Sequence, residues 1–128
     1  MSLGLDSVPS KIVVEAVLSD SRRWVFELVR VKAPIVFDRL YNRIPRRSRV
    51  YVERWERWIP LWLKLPPERE RTRFSRGDVV YRASTNSLHF ILRDGAGRPG
   101  TCIGRVLEGL EVLDALEKSA TVALRVIG

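Results

Sequence analysis

The order of elements in the last fifty residues constrains this chain more than any other feature. Three short β-like runs come first: Gly77-Asp78-Val79-Val80-Tyr81, Ser87-Leu88-His89-Phe90-Ile91-Leu92 and Cys102-Ile103-Gly104-Arg105-Val106. A Glu108-Gly109 step then leads into an amphipathic segment carrying Leu110, Leu113 and Leu116, and Thr121-Val122-Ala123-Leu124-Arg125-Val126 closes the sequence as another β-run. Few small folds share that order, and a strand-rich barrel is the natural one.

The first half supports the same class. Residues 11–18 are rich in β-branched side chains, Asp20-Ser21 supplies turn chemistry, and residues 23–30 alternate, so an opening hairpin is predicted. Trp24, Phe26 and Leu28 share one face of its second strand. Pro34 suits the first turn of a helix because its missing N–H would be unpaired there. Val36, Phe37, Leu40, Tyr41 and Ile44 follow at helical spacing until Pro45 stops the run. Residues 49–53 and 57–62 read as strands limited by Pro60 and the Pro66-Pro67 pair. Residues 67–73 offer nothing apolar to bury and read as an exposed loop or protruding ribbon. The run with Gly95, Gly97, Pro99 and Gly100 reads as a plain loop, since no Lys-Ser, Lys-Thr or helix start follows that would make it a phosphate cradle.

Together these segments resemble the small cyclophilin-like proteins of archaea and bacteria, a group of uncharacterised function that shares the barrel of the peptidyl-prolyl isomerases in shortened form. Ile103-Gly104-Arg105-Val106-Leu107-Glu108-Gly109 is similar to the Gly-Lys-Val-hydrophobic-Glu-Gly segment that starts the last helix of the isomerases. Ala33-Pro34 resembles the step that opens their first helix. Arg54-Trp55-Glu56 with Trp58-Ile59-Pro60 is closer to the small group. The resemblance implies a mainly β, closed barrel of about eight strands with a helix over each end, formed by residues 1–128 as one domain. It also implies a ligand cleft outside the barrel, with Phe90 as the pocket phenylalanine, Leu88, Tyr81 and Trp58 nearby, and Arg57 or Arg54 as the candidate catalytic arginine. His89 takes the position of an interior phenylalanine. Leu88 stands where the isomerases have a glutamine, and their loop bearing tryptophan and histidine is missing.

Composition bounds the rest. A length of 128 residues suits one domain. No apolar run approaches the roughly 20 residues that cross a bilayer, so a soluble protein is expected. Met1 to Ser10 shows no signal-peptide pattern and reads as a flexible or expression-derived start. A single cysteine, Cys102, fits a reducing, cytoplasmic setting. The net charge of +8 is almost all arginine, with lysine only at Lys11, Lys32, Lys64 and Lys118. A solvated surface network is favoured over a nucleic-acid footprint for this charge.

No residue set announces a reaction. His89 and Cys102 are the only imidazole and thiol, too few for a tetrahedral metal site, and no cofactor is expected. His89 inside an apolar strand reads as a satisfied core histidine, and Cys102 as a small hydrophobe. Trp55, Trp58 and Trp62 among Arg46, Arg47, Arg49, Arg54 and Arg57 have the chemistry of a single-strand binder, although core or cleft-wall packing is favoured. The expected function is a peptide- or small-ligand-binding module without efficient catalysis, its ligand a peptide or small anion. A weak prolyl isomerase and an arginine-mediated nucleic-acid binder are the alternatives. Monomer and homodimer are both open, the latter through the exposed stretch from Trp58 to Leu65.

Overall fold

The computed structural model describes residues 8–128, so most of the expected flexible start lies outside the described residues. Of that start, Val8 is half-buried against the core, and the Ser10 carbonyl accepts a bond from the Arg30 amide at 2.8 Å. The hairpin forms as expected: β1 (Lys11–Leu18) pairs antiparallel with β2 (Arg23–Val29) from Lys11↔Val29 to Val17↔Arg23. Alternation then decides the faces, and Ile12, Val14, Ala16, Leu18, Trp24, Phe26 and Leu28 all turn inward and are buried.

A 3-10 turn (Arg30–Lys32) leads to α1 (Pro34–Leu40), with Pro34 in its first turn. Ala33 offers no capping oxygen, and the helix start is satisfied from a distance: Glu68 accepts from the Ile35 and Val36 amides at 3.3 and 3.0 Å. The helix ends at Leu40, short of the expected Ile44. Ile44 precedes Pro45, and a residue before proline is pushed out of the helical region.

Strands β3 (Arg47–Val52), β4 (Glu56–Pro60), β6 (Asp78–Arg82), β7 (Ser87–Ile91), β8 (Gly95–Glu108) and β9 (Ala120–Val126) complete the wall, with β5 (Arg71–Phe74) beside it. All pairings are antiparallel, in the order β2-β1-β9-β3-β4-β7-β6-β8, and β2 pairs with β8 to close eight strands into a barrel. The ninth strand, β5, pairs only with the first part of β8. Residues 95–100 are therefore not the loop expected of them; they are half of a two-stranded ribbon that folds back over the outside of the barrel. The charged stretch before Phe74 forms the other half. Phe74 anchors the ribbon in a small cluster with Val80 and Ile91 on the outer wall.

The helices plug opposite ends. α1 buries Val36, Phe37 and Leu40 at the end where β2 stops, and α2 (Leu110–Ala115) buries Leu113 at the end where β8 stops. No helix among the described residues is long and apolar enough to cross a membrane.

One inversion matters for the site. Phe90, Leu88 and Tyr81, expected to line an outer cleft, point into the barrel and have no exposed surface. Phe90 meets Trp24 and Phe26 edge to face, with ring centroids 5.6 and 5.0 Å apart. His89, expected in the barrel interior, lies on the outer side of the wall, where it is nonetheless buried at 1% exposure with both ring nitrogens bonded, a satisfied histidine as expected. Strand period explains both, because neighbours on one strand face opposite sides.

A candidate site on the outer wall

The outward residues of β4, β7 and β6 form a polar layer between the barrel wall and the ribbon. Their register sets Trp58 opposite His89 and His89 opposite Val80, with Ser87 opposite Arg82. Glu56 accepts from Arg82 and from His89 Nδ1, the latter at 2.8 Å. His89 Nε2 lies 2.7 Å from Ser87 Oγ, which lies 2.6 Å from Thr85 Oγ1. Arg82 is fully buried, its Nη2 donating to the Arg98 carbonyl at 3.3 Å and its guanidinium 5.6 Å from the Phe74 ring centroid.

Charge states follow from these contacts. Burial alone would raise the Glu56 carboxyl, but hydrogen bonds from His89 and Arg82 and the Arg82 charge hold it at about 2. It is therefore a carboxylate and can only accept, so His89 Nδ1 carries the proton and Nε2 accepts from Ser87. Burial also lowers the His89 imidazole below its ordinary value; the Glu56 hydrogen bond opposes this and the Arg82 charge adds to it. His89 is neutral at neutral pH.

The row hydroxyl, imidazole, carboxylate is the order found in nucleophilic relays. Here it lacks an exposed nucleophile: Ser87 is fully buried, Trp58 stacks over His89 at 5.8 Å, and the Glu56 oxygen that His89 meets is shared with Arg82, which leaves the other oxygen open. The network instead fixes Glu56 in place. Glu56 lines a groove of about 340 Å³ between β4, the end of β7 and the ribbon. Phe74 and Ile91 form its apolar floor, Asp94 and the backbone of residues 95–97 one side, and Trp55 with Arg93 the mouth. The Arg93 guanidinium lies 4.6 Å from the Trp55 ring centroid.

Few of the expected site residues reach this groove. Arg57 is 7% exposed and points into the plugged end of the barrel. There its Nε donates to the Leu113 carbonyl at 2.9 Å and its Nη1 to the Glu53 and Glu56 carbonyls at 2.6 and 2.9 Å. It ties α2 to β4, with three of its five N–H donors committed to backbone carbonyls. Arg54 is exposed in the turn before β4, over the Trp55 ring. Trp58 is half-buried on the outer wall, stacked between Tyr51 and His89. Tyr81 directs its hydroxyl to the Leu65 backbone and Asn86. Cys102 is half-buried, and no cluster of metal-ligating side chains exists among the described residues.

Glu56, Phe74, Arg82, Ser87 and Arg93 were not singled out from sequence. The signal for some of them lies in parity. Leu88, Phe90 and Leu92 are large and apolar at alternate positions, as are Ile59 and Leu61, which leaves Ser87, His89, Glu56 and Trp58 to the other face.

No protein-family model matches the chain, and no curated protein matches it. Solved structures do share its fold. The hypothetical protein AF2241 from Archaeoglobus fulgidus, solved in solution, superposes with a TM-score of 0.72 over 96% of this chain and 98% of its own, at 15% identity. McbB in complex with tryptophan superposes with a TM-score of 0.66 over 88% of this chain, at 14% identity. This chain spans only 44% of McbB.

Proposed function

We propose that the protein is a small-ligand-binding module, a shortened cyclophilin-type barrel that holds an amino acid or the end of a short peptide in the outer groove without efficient prolyl isomerisation. The fixed Glu56 carboxylate beside an apolar floor carries this reading, since most small-ligand sites combine an apolar wall with a few oriented polar groups. Glu56 suits an ammonium, Arg93 at the mouth suits a carboxylate, and Phe74 and Ile91 suit an apolar side chain between them. McbB, part of which shares the fold, was solved in complex with tryptophan, a ligand with all three features. The cyclophilin likeness rests on the element order and on residues 103–109, which leave a strand and start α2. The absence of efficient isomerisation is supported by Arg57, which is 7% exposed with its Nε and Nη1 held by backbone carbonyls, and by Phe90, which is sealed in the core.

Calorimetric titration with L-tryptophan, other amino acids and short peptides tests the reading, alongside Trp55→Ala and Arg93→Ala. Zwitterionic ligands with an apolar side chain are expected to bind and to raise the melting temperature, and each variant to weaken them by about tenfold, roughly 1.4 kcal/mol. Absence of heat and of thermal shift with every ligand at millimolar concentration defeats it. Acceleration of prolyl cis-trans relaxation that Arg57→Ala abolishes would restore the isomerase alternative.

A further inference from the structure

Eight of the arginines are ion-paired, among them Arg23 and Arg125, which share Glu15, Arg30 on Asp38, Arg76 on Asp114 and Arg98 on Glu53. Arg54, Arg69, Arg73, Arg93 and Arg105 are exposed without a carboxylate partner among the described residues, at scattered places on the surface. From the end of α1 along β3 the pattern changes. Arg39, Arg43, Arg46, Arg47 and Arg49 are all exposed, and none lies within ion-pair distance of a carboxylate among the described residues. Lys64 joins Arg39 and Arg43 around a polar cavity of about 400 Å³. Asp38, the carboxylate lining it, is already held by both Arg30 nitrogens at 2.7 and 2.9 Å.

This cluster has a linear form. Arg47 and Arg49 stand on the outer face of β3 opposite Ala123 and Thr121 of β9, whose small side chains leave them raised. Side chains at alternate positions of a strand are roughly 6.6 Å apart, so the guanidiniums make a ladder and not a point charge. Arg49 rests on two neutral hydroxyls, Thr121 Oγ1 and Ser119 Oγ, at 3.4 and 3.2 Å. Aromatic faces lie at both ends of the ladder. Tyr51 continues it and stacks on Trp58 with centroids 4.6 Å apart, and Trp62, 82% exposed, follows β4 at the end where β3 begins.

We propose that the outer face of β3 is a binding strip for single-stranded nucleic acid. Arg43, Arg46, Arg47 and Arg49 would meet successive phosphates, and bases would stack on Trp62 and on the Tyr51–Trp58 pair. An acidic protein would meet the charges but gain nothing particular from flanking aromatic faces. A duplex would meet the charges but keeps its bases stacked inside, which leaves the flanking aromatic faces without a partner. The strip is separate from the Glu56 groove, so either can fail without the other.

Fluorescence anisotropy with labelled oligouridylate and oligothymidylate of about 12 nucleotides tests this. Binding of either strand is expected at about 50 mM salt, weakening with a log-log slope of roughly −2 to −3, as four phosphate contacts imply. The triple variant Arg43→Ser, Arg47→Ser, Arg49→Ser should lose at least about tenfold in affinity and flatten the slope by about 2. A control with the same net charge, Arg22→Ser, Arg71→Ser, Arg98→Ser, should bind within about twofold of the native protein, since its arginines lie off the strip. Arg47→Glu alone gives the same reading if the triple variant fails to fold. The proposal is overturned by absence of binding at low salt, by equal loss in both triple variants, or by polyglutamate competing as well as the oligonucleotide.

Discussion

Glu56 and His89 make the stability of this protein depend on pH in a way that can be assigned to single residues. In the fold Glu56 takes a proton only near 2, whereas the unfolded chain does so near 4.5. Stability present above 4.5 is therefore lost as pH falls toward 2, by up to about 3 kcal/mol. His89 acts in the same direction at higher pH: burial lowers it in the fold, so below about 6.5 the unfolded chain gains a proton that the folded chain refuses. Urea unfolding should show stability declining first below pH 6.5 and again below 4.5, with His89→Gln removing the first stage. Since His89 is the only histidine, a flat profile between pH 7 and 5 in the native protein would mean that the imidazole takes its proton as readily in the fold as in the unfolded chain, and stability rising on acidification would mean that the fold holds it charged. At the same scale, the segment from Ile103 to Gly109 was legible because its glycines answer to geometry. A Cβ on Gly104 would sit 1.8 Å from the Glu27 carbonyl oxygen where β8 meets β2, and Gly109 starts α2 at φ 87° against the Trp24 backbone. The electrostatics of Glu56 were not legible, because its partners are 26 and 33 residues away.

Among the elements, β7 shows where a sequence reading divides. That residues 87–91 form a strand follows from their composition, but which face meets the core depends on the neighbouring strands. Matching Phe90 to a pocket phenylalanine set the wrong parity, and the apolar alternation of Leu88, Phe90 and Leu92 holds the right one. The ribbon was harder still. Residues 95–100 carry three glycines and a proline, a loop composition, and they extend as a strand only because β5 pairs with them. Its hold on the barrel is concentrated in Phe74, which packs on Val80 and Ile91 and lies under the Arg71 and Arg82 guanidiniums. Phe74→Ala should loosen the ribbon and leave the barrel intact. Hydrogen exchange is expected to quicken at least about tenfold in β5 and residues 95–100, with β1, β2 and β9 unchanged. Equal acceleration throughout would show that the ribbon and barrel unfold as one unit.

For the molecule as a whole, closure is the decisive feature and the least local. The opening hairpin is continuous with its own turn, yet it is held on one side by β8 and on the other by β9. The C-terminus continues this seam: the Val13 amide donates to the Gly128 carbonyl at 2.9 Å, and Ile127 donates back to Val13 at 2.8 Å. The strand-rich pattern and the family resemblance together could foretell a barrel of about eight strands but not these partners, since pairing across the whole chain leaves no local pattern. Closure also removes the barrel edges through which copies could pair. Of the stretch expected as a dimer contact, Leu61 and Leu65 are buried and Trp62 is exposed, while the open edge of β5 carries exposed Arg71 and Arg73, whose charge opposes strand pairing there. Because β9 lies between β1 and β3, removing residues 120–128 opens the wall on two sides and uncovers Val14, Ala16 and Val50 at once. Such a truncated chain is expected to lose its cooperative thermal transition and bind a hydrophobic dye, as a compact state without fixed packing does. A sharp transition in the truncated chain would mean that the hairpin, the ribbon and the remaining strands hold the core without the seam.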